Sequence, residues 1–170
     1  MKLEKLQLPD FVLAELYKDH LVVLSDETHT EQSFAPESSK WFFGENKKNV
    51  TILVNDSGAV YLRDEWLNFL SSILSACKMN LSDVAIINYF NHPVSYKEVQ
   101  EKLSPAFFIL FDVTAASIQL PFTIPHYQMQ KYNNCIFLLA PSLQNMLSES
   151  KEAKLEKSKL WLSLKKMFSV

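Results

Sequence analysis

The hydrophobic positions of this chain fall into two kinds of segment. Four short apolar runs each close on a polar or proline-marked turn, and segments with helical periodicity separate most of them. The runs are Val50–Val54, Val84–Asn88, Phe107–Phe111 and Cys135–Ala140. Continuous apolar strands joined by helical crossovers are typical of a parallel sheet that is buried on both faces. The pattern therefore predicts an α/β fold.

We expect a three-layer sandwich around a central, mostly parallel sheet of four strands in the order 2-1-3-4. The clearest unit is the strand Val50–Val54, a helix that begins near Asp64 and the strand Val84–Asn88. Apolar residues of this helix recur at i, i+3, i+4 and i+7, which gives it one broad buried face. The acidic side chains of Asp64 and Glu65 suit its N-terminus, because the helix dipole favours negative charge there.

The remaining elements are predicted less directly, from local periodicity and from turn residues. Alternation around Tyr127, Met129 and Lys131 indicates an extra edge strand, and a hairpin between 41–43 and 50–54 is one interpretation of the turn Gly44–Asn49. Further helical segments are predicted at 95–103, 114–119, 143–148 and about 151–168.

Composition changes along the chain and predicts three parts. Residues 1–24 read as an N-terminal arm with a short helix and a strand. Residues 25–48 are a polar, proline-marked loop with a hairpin strand at its end, and 49–170 carry the α/β domain.

Composition and charge exclude several classes of protein. The 170 residues, 48% of them hydrophobic, suit one packed domain, and a net charge of −2 does not favour a nucleic-acid or membrane surface. We find neither a membrane-spanning stretch nor a signal peptide, so a cytoplasmic location is expected. Only two glycines occur, so no glycine-rich loop could cradle a phosphate or dinucleotide, and we expect no cofactor. Cys77 and Cys135 are expected to be buried, reduced thiols.

Candidate chemistry is confined to the loops that follow the strands, since ligands of open α/β sheets bind beyond the carboxyl ends of the strands. The turn after Val54 contains Asp56, and the loop after Asn88 contains His92. Each also has a purely structural interpretation, as a tight turn and as a surface histidine. The four histidines are not spaced as a metal site, and Ser142 lacks a glycine-flanked nucleophile elbow. The histidines are His20, His29, His92 and His126.

Two surfaces could contact partners. Lysines of the last helix are interleaved with glutamates, which favours a solvated helix face over an electrostatic docking surface. The apolar residues near the N-terminus could pack on the core, or an arm could present them to a groove in a partner.

Two blocks of the sequence resemble the psi subunit of bacterial DNA polymerase III. In the first block a strand ending in Asn-Asp (Asn49–Asp56) is followed by a leucine-rich helix (Leu62–Cys77) and a second strand (Leu81–Asn88). The second block joins Phe137–Leu143 to the last helix through Lys159–Trp161. The likeness is one of spacing and residue type over about 100 residues.

The resemblance implies the fold of uracil-DNA glycosylase without its activity. Active members of that fold carry a glycine-containing acidic or amide motif after the first strand, an Asn after the second strand and His-Pro-Ser after the fourth. This chain is similar in Asn88 and Pro141-Ser142, but Ala140 stands at the histidine position and the loop after the first strand does not match. The resemblance thus implies a vestigial cleft formed by Asn55, Asp56, Asn88, Ala140, Pro141 and Ser142.

The same resemblance implies a protein–protein adaptor in DNA replication. In the psi family an N-terminal arm inserts into the clamp loader, and the globular part holds a chi subunit that contacts single-stranded-DNA-binding protein. Whether DNA is contacted directly stays open. By position, residues 1–20 would be the arm, anchored through Leu6, Leu8, Phe11, Leu16 and Tyr17.

Two rival functions stay open from the sequence. One is an active glycosylase or another DNA-repair hydrolase that uses Asp56 and His92. The other is a binding module for a small ligand in the cleft near Asn88 and His92. A close approach of Asp56 and His92 around a polar pocket would favour both rivals.

Overall fold

A six-stranded mixed sheet organises residues 40–170, which are the part of the chain that the computed structural model describes. The sheet order is β1-β3-β2-β4-β6-β5. Its strands are β1 (Phe43–Gly44), β2 (Val50–Val54), β3 (Val84–Asn88), β4 (Phe107–Phe111), β5 (Met129–Tyr132) and β6 (Cys135–Ala140). The helices are α1 (Asp64–Ala76), α2 (Tyr96–Leu103), α3 (Gln144–Leu147) and α4 (Lys151–Phe168), and Leu81–Asp83 form a short 3-10 helix.

The four inner strands pair in parallel, and the two edge strands do not. β3, β2, β4 and β6 are parallel neighbours, which is the expected order 2-1-3-4 for the four apolar runs. The prediction of a four-stranded sheet is nevertheless wrong, because β1 and β5 complete the sheet as antiparallel edges. Both edge strands are short and only partly buried, so neither carries the continuous apolar run by which the inner strands were identified.

The first edge strand also corrects the proposed hairpin. β1 pairs with β3, through Phe43 opposite Ile86 and Gly44 opposite Ala85, and not with 50–54. After Gly44 the chain stays beside the start of β3, where the backbone N–H of Asn46 donates to the carbonyl of Val84 over 3.1 Å. Gly44 permits this close approach, because it has φ +102° and lies against backbone oxygens where a side chain would clash.

Successive residues of the inner strands face two separate apolar cores. In β4, Ile109 and Phe111 face the core formed with α1, α3 and α4, whereas Phe108 and Leu110 face the core formed with α2. The same period of two holds along β2, β3 and β6. Every residue of β2 and β3 is buried, so helices cover the centre of the sheet on both faces.

The helix boundaries follow capping and turn chemistry. The predicted helices 95–103 and 151–168 are present as α2 and α4, and the Ser150 hydroxyl caps α4 by accepting a hydrogen bond from the N–H of Ala153. The helix expected at 114–119 is wrong: this segment is a series of turns that closes at Gln119, with φ +61°. The expected edge strand near Met129 is present as β5.

Both cysteines are buried free thiols, as expected. Burial raises the pKa of the Cys77 thiol, and it raises that of Cys135 to about 12. Within residues 40–170, none of the helices combines the length and the apolar character needed to span a bilayer.

The close approach at Gly44 generates a prediction about stability. In a Gly44→Ala variant the new Cβ would lie 2.1 Å from the Val84 carbonyl oxygen and 2.7 Å from that of Leu81. We expect the free energy of unfolding in urea to fall by more than about 2 kcal/mol, because both neighbours are backbone atoms and φ is left-handed.

Gly58 supplies the matched control for this substitution. A Cβ at Gly58 would meet side-chain atoms and no backbone, namely Nη2 of Arg63 at 3.2 Å and a carboxylate oxygen of Asp56 at 3.4 Å. Gly58→Ala should therefore change stability by no more than about 1 kcal/mol. Equal effects of the two substitutions would contradict the pairing of β1 with β3.

Candidate functional site

The polar residues predicted for the cleft lie at the carboxyl edge of the sheet, but they differ in exposure. Asp56 and Asn88 are buried, with 1% and 0% of their surface exposed. Asn55 is exposed, and Pro141 and Ser142 are half-buried. Ala140 is fully buried and belongs to the apolar core under α1 and α4. The structure thus joins Asp56 to Asn88 and leaves Ala140 in an apolar environment.

The side chain of Asn88 ties the loop after β2 to the loop after β3. Its Nδ2 donates to the carbonyl oxygens of Asp56 at 2.7 Å and Ala59 at 2.8 Å, with Val60 at 3.3 Å. Its Oδ1 accepts from the backbone N–H groups of Asp56 at 3.1 Å and Phe90 at 3.2 Å. Both ends of the amide are therefore occupied by backbone groups.

The carboxylate of Asp56 is occupied by two backbone N–H groups and by the guanidinium of Arg63. Its Oδ1 accepts from Nη2 of Arg63 at 2.6 Å and from the N–H of Gly58 at 2.9 Å. Its Oδ2 accepts from the backbone N–H and from Nε of Arg63, both at 3.1 Å. These bonds, the guanidinium first among them, hold the pKa of Asp56 below its usual range. The side chain is fully shielded from solvent, which by itself would raise its pKa, and the pairing with Arg63 outweighs this effect of burial.

Arg63 is the residue of this cluster that sequence reasoning missed. Its guanidinium carbon lies 4.5 Å from the centroid of the Trp66 ring, so one side chain pairs with Asp56 and stacks on the first turn of α1. A signal was available, because Arg63 is the only arginine in the sequence and follows the Asp56 turn by seven residues. Asn91 was also missed, and its Nδ2 donates to the carbonyls of Ala59 and Val60.

Within residues 40–170, His92 is not a hydrogen-bond partner of the Asp56 side chain. His92 is half-buried, and its backbone N–H donates to the Asn88 carbonyl over 2.9 Å. The hydrogen bonds of the Asp56 side chain within residues 40–170 come from Gly58 and Arg63, not from His92. Ser142 accepts from the N–H of Gln144 at the start of α3 and so acts as a turn residue.

Several predicted residues lie outside residues 40–170, which the structure describes. They are Leu6, Leu8, Phe11, Leu16, Tyr17, His20 and His29. In the described part of the chain, no group of three or more His, Cys, Asp or Glu side chains could hold a metal ion.

Comparisons with known proteins do not assign the chain to a family. No protein-family model matches it, and no curated protein matches it significantly.

The bonds of Asn88 predict a strong dependence of stability on its amide. Asn88→Ala leaves the buried N–H and carbonyl of Asp56, and partly buried groups of both loops, without partners. We expect it to lower the free energy of unfolding by about 2–4 kcal/mol. Chemical denaturation followed by circular dichroism measures the change.

Asn91→Ala is the matched control, because Asn91 also donates to Ala59 and Val60 but is exposed, so water can replace it. Asn91→Ala should lower the free energy of unfolding by no more than about 1 kcal/mol. An Asn88→Ala variant as stable as the control would show that Asn88 does not hold the loops together.

The ion pair of Asp56 predicts a pH-dependent effect of Arg63→Gln. The folded-state pKa of Asp56 is lowered, so the stabilisation is complete above the unfolded pKa, near pH 4, and is lost as pH falls through the folded value. We expect Arg63→Gln to lower the free energy of unfolding by about 1–3 kcal/mol at pH 7. This is less than the usual cost of breaking a buried ion pair, because the Arg63 side chain is 40% exposed.

Unfolding of wild type and variant should be measured between pH 3 and pH 7 (about four values). The difference between the two proteins should shrink as the pH falls from about 4 towards the folded pKa of Asp56, since protonation of the carboxylate removes its attraction for Arg63. A difference that is constant over this range would exclude the ion pair as its source.

Proposed function

We propose that this chain is a non-catalytic protein–protein adaptor, a psi-like accessory subunit of the clamp loader of DNA polymerase III. The supporting observation is the complete engagement of the Asp56 carboxylate and the Asn88 amide by groups of their own loops. Base excision needs a group that orients water and donors that stabilise the departing anion. Here the two best-placed polar side chains bind backbone groups and the Arg63 side chain instead.

The proposal extends to the scaffold. The order of the four parallel strands and the helices on both faces suit the uracil-DNA glycosylase fold that the psi resemblance implies. At the end of the fourth parallel strand, Ala140 provides a methyl group within the apolar core, where active members of that fold would need a histidine. Fold likeness alone does not determine function, so the proposal depends on these side chains.

In this proposal the partners are clamp-loader subunits, with a chi-like subunit as a second partner. The contacts to the clamp loader are assigned to the arm, residues 1–20. The apolar anchors there are of the kind that fill a groove in a partner, with recognition by burial of a few large side chains.

Affinity purification of the tagged full-length chain from its native host tests the proposal. Clamp-loader subunits should co-purify with wild type and be lost when residues 1–20 are deleted. A Phe11→Ala, Tyr17→Ala double variant should reduce recovery at least about tenfold, whereas Lys18→Ala should not. Unchanged thermal unfolding of each variant shows that the loss is one of binding.

Two outcomes would contradict the adaptor. One is undiminished recovery of the clamp loader without the arm. The other is release of uracil from single-stranded DNA by the purified wild-type chain that disappears in Asp56→Asn, since this would assign catalysis to a carboxylate that we interpret as structural.

A further inference from the structure

An apolar groove lies between α1 and α4. Its volume is about 240 Å³, and its walls are almost wholly apolar. The apolar side chains that form it are Phe69, Ile73, Ala76, Leu160, Trp161 and Leu164. None of the predicted cleft residues is part of it, so it is separate from the carboxyl edge of the sheet.

Two lysines of α4, Lys157 in the lining and Lys165 beside it, add positive charge at the rim of the groove. Lys157 places its Nζ 5.8 Å from the Phe69 ring centroid, and Lys165 places its Nζ 6.0 Å from that of Trp161. The helical period puts Lys154 on the same flank. Glu156 lies on the opposite flank, where it bonds to Tyr127 and Lys159.

The α1 wall adds little charge. Ser72 and Ala76 are exposed at its rim, and the helical period leaves Glu65, one turn before Phe69, as the carboxylate nearest to the groove on this helix. An occupant would therefore meet an apolar floor, two lysines above aromatic rings on one side and a nearly neutral rim on the other. Apolar contact flanked by negative charge complements this surface.

The length of the groove suggests the form of the occupant. From Phe69 to Ala76 is seven residues of α1, or about 10 Å along the helix axis, which matches two turns of a docked helix. We propose that this groove binds an amphipathic helix of a partner protein, with apolar residues at i, i+4 and i+7 and acidic residues beside them. The inference goes beyond the proposed function, which depends on residues 1–20 and not on this groove.

The test uses the full chain and a synthetic fluorescent peptide of about fifteen residues, with leucine at i, i+4 and i+7 and glutamate on the remaining face. Ala76→Arg would fill the exposed rim of the groove, and we expect it to weaken binding in fluorescence anisotropy at least about tenfold. Ser75→Arg is the matched control, because Ser75 is exposed on the same turn but is not a groove residue. Its affinity should equal that of wild type.

Charge reversal tests the inference that the occupant carries acidic residues beside its apolar ones. A Lys157→Glu, Lys165→Glu variant should bind the acidic peptide at least about fivefold more weakly, with a smaller difference at high salt, whereas Lys151→Glu should not. A peptide with lysine in place of glutamate should show the reverse preference.

Three results would overturn the inference. The first is that Ala76→Arg and wild type bind the acidic peptide with equal affinity, and the second is that wild type binds the acidic and basic peptides equally well. The third is self-association of the chain that Ala76→Arg abolishes, because a second copy would then occupy the groove. Clamp-loader recovery through the arm is measured separately, so failure of the groove and failure of the proposed function are distinguishable.

Discussion

The amide of Asn88 is the constraint on which the carboxyl edge of this sheet depends. Parallel strands end with their backbone groups pointing into loops, and buried backbone groups need partners. Asn88 satisfies groups of two loops at once, through Asp56 and Ala59 on one side and Phe90 on the other. The Asp56–Arg63 pair then fixes the same turn to the start of α1. The loops where an α/β protein usually binds its ligand are in this way braced against each other.

This bracing has a consequence for function. An amide or carboxylate whose hydrogen-bonding positions are filled by groups of the same chain has little capacity left for a substrate. The two surfaces that we propose for partners are the groove between α1 and α4 and the N-terminal arm. Both would act through apolar burial with charge at the rim, which is how interaction surfaces gain affinity and specificity. The proposed adaptor function agrees with this distribution of polar and apolar groups.

The sequence was sufficient for the inner sheet and insufficient for its edges. Val50–Val54 and Cys135–Ala140 are strands with the expected bounds, because a strand buried on both faces needs an unbroken apolar run. β1 was assigned to the wrong neighbour, since its pairing depends on how close Gly44 comes to Val84, and local periodicity does not encode that distance. The Asp56–Arg63 pair was missed for the same reason. A single arginine indicates that a carboxylate pairs with it, but the sequence does not show which carboxylate.

The unfolding free energy of Asp56→Asn tests the central claim, that the polar residues at the carboxyl edge serve the fold. Catalytic groups are often held at a cost to stability, so replacing them tends to leave a protein equally or more stable. A structural carboxylate behaves in the opposite way, because its paired arginine loses its partner. At pH 7 we expect Asp56→Asn to be less stable than wild type by more than about 1 kcal/mol. A variant that is as stable as wild type, or more stable, would contradict the claim.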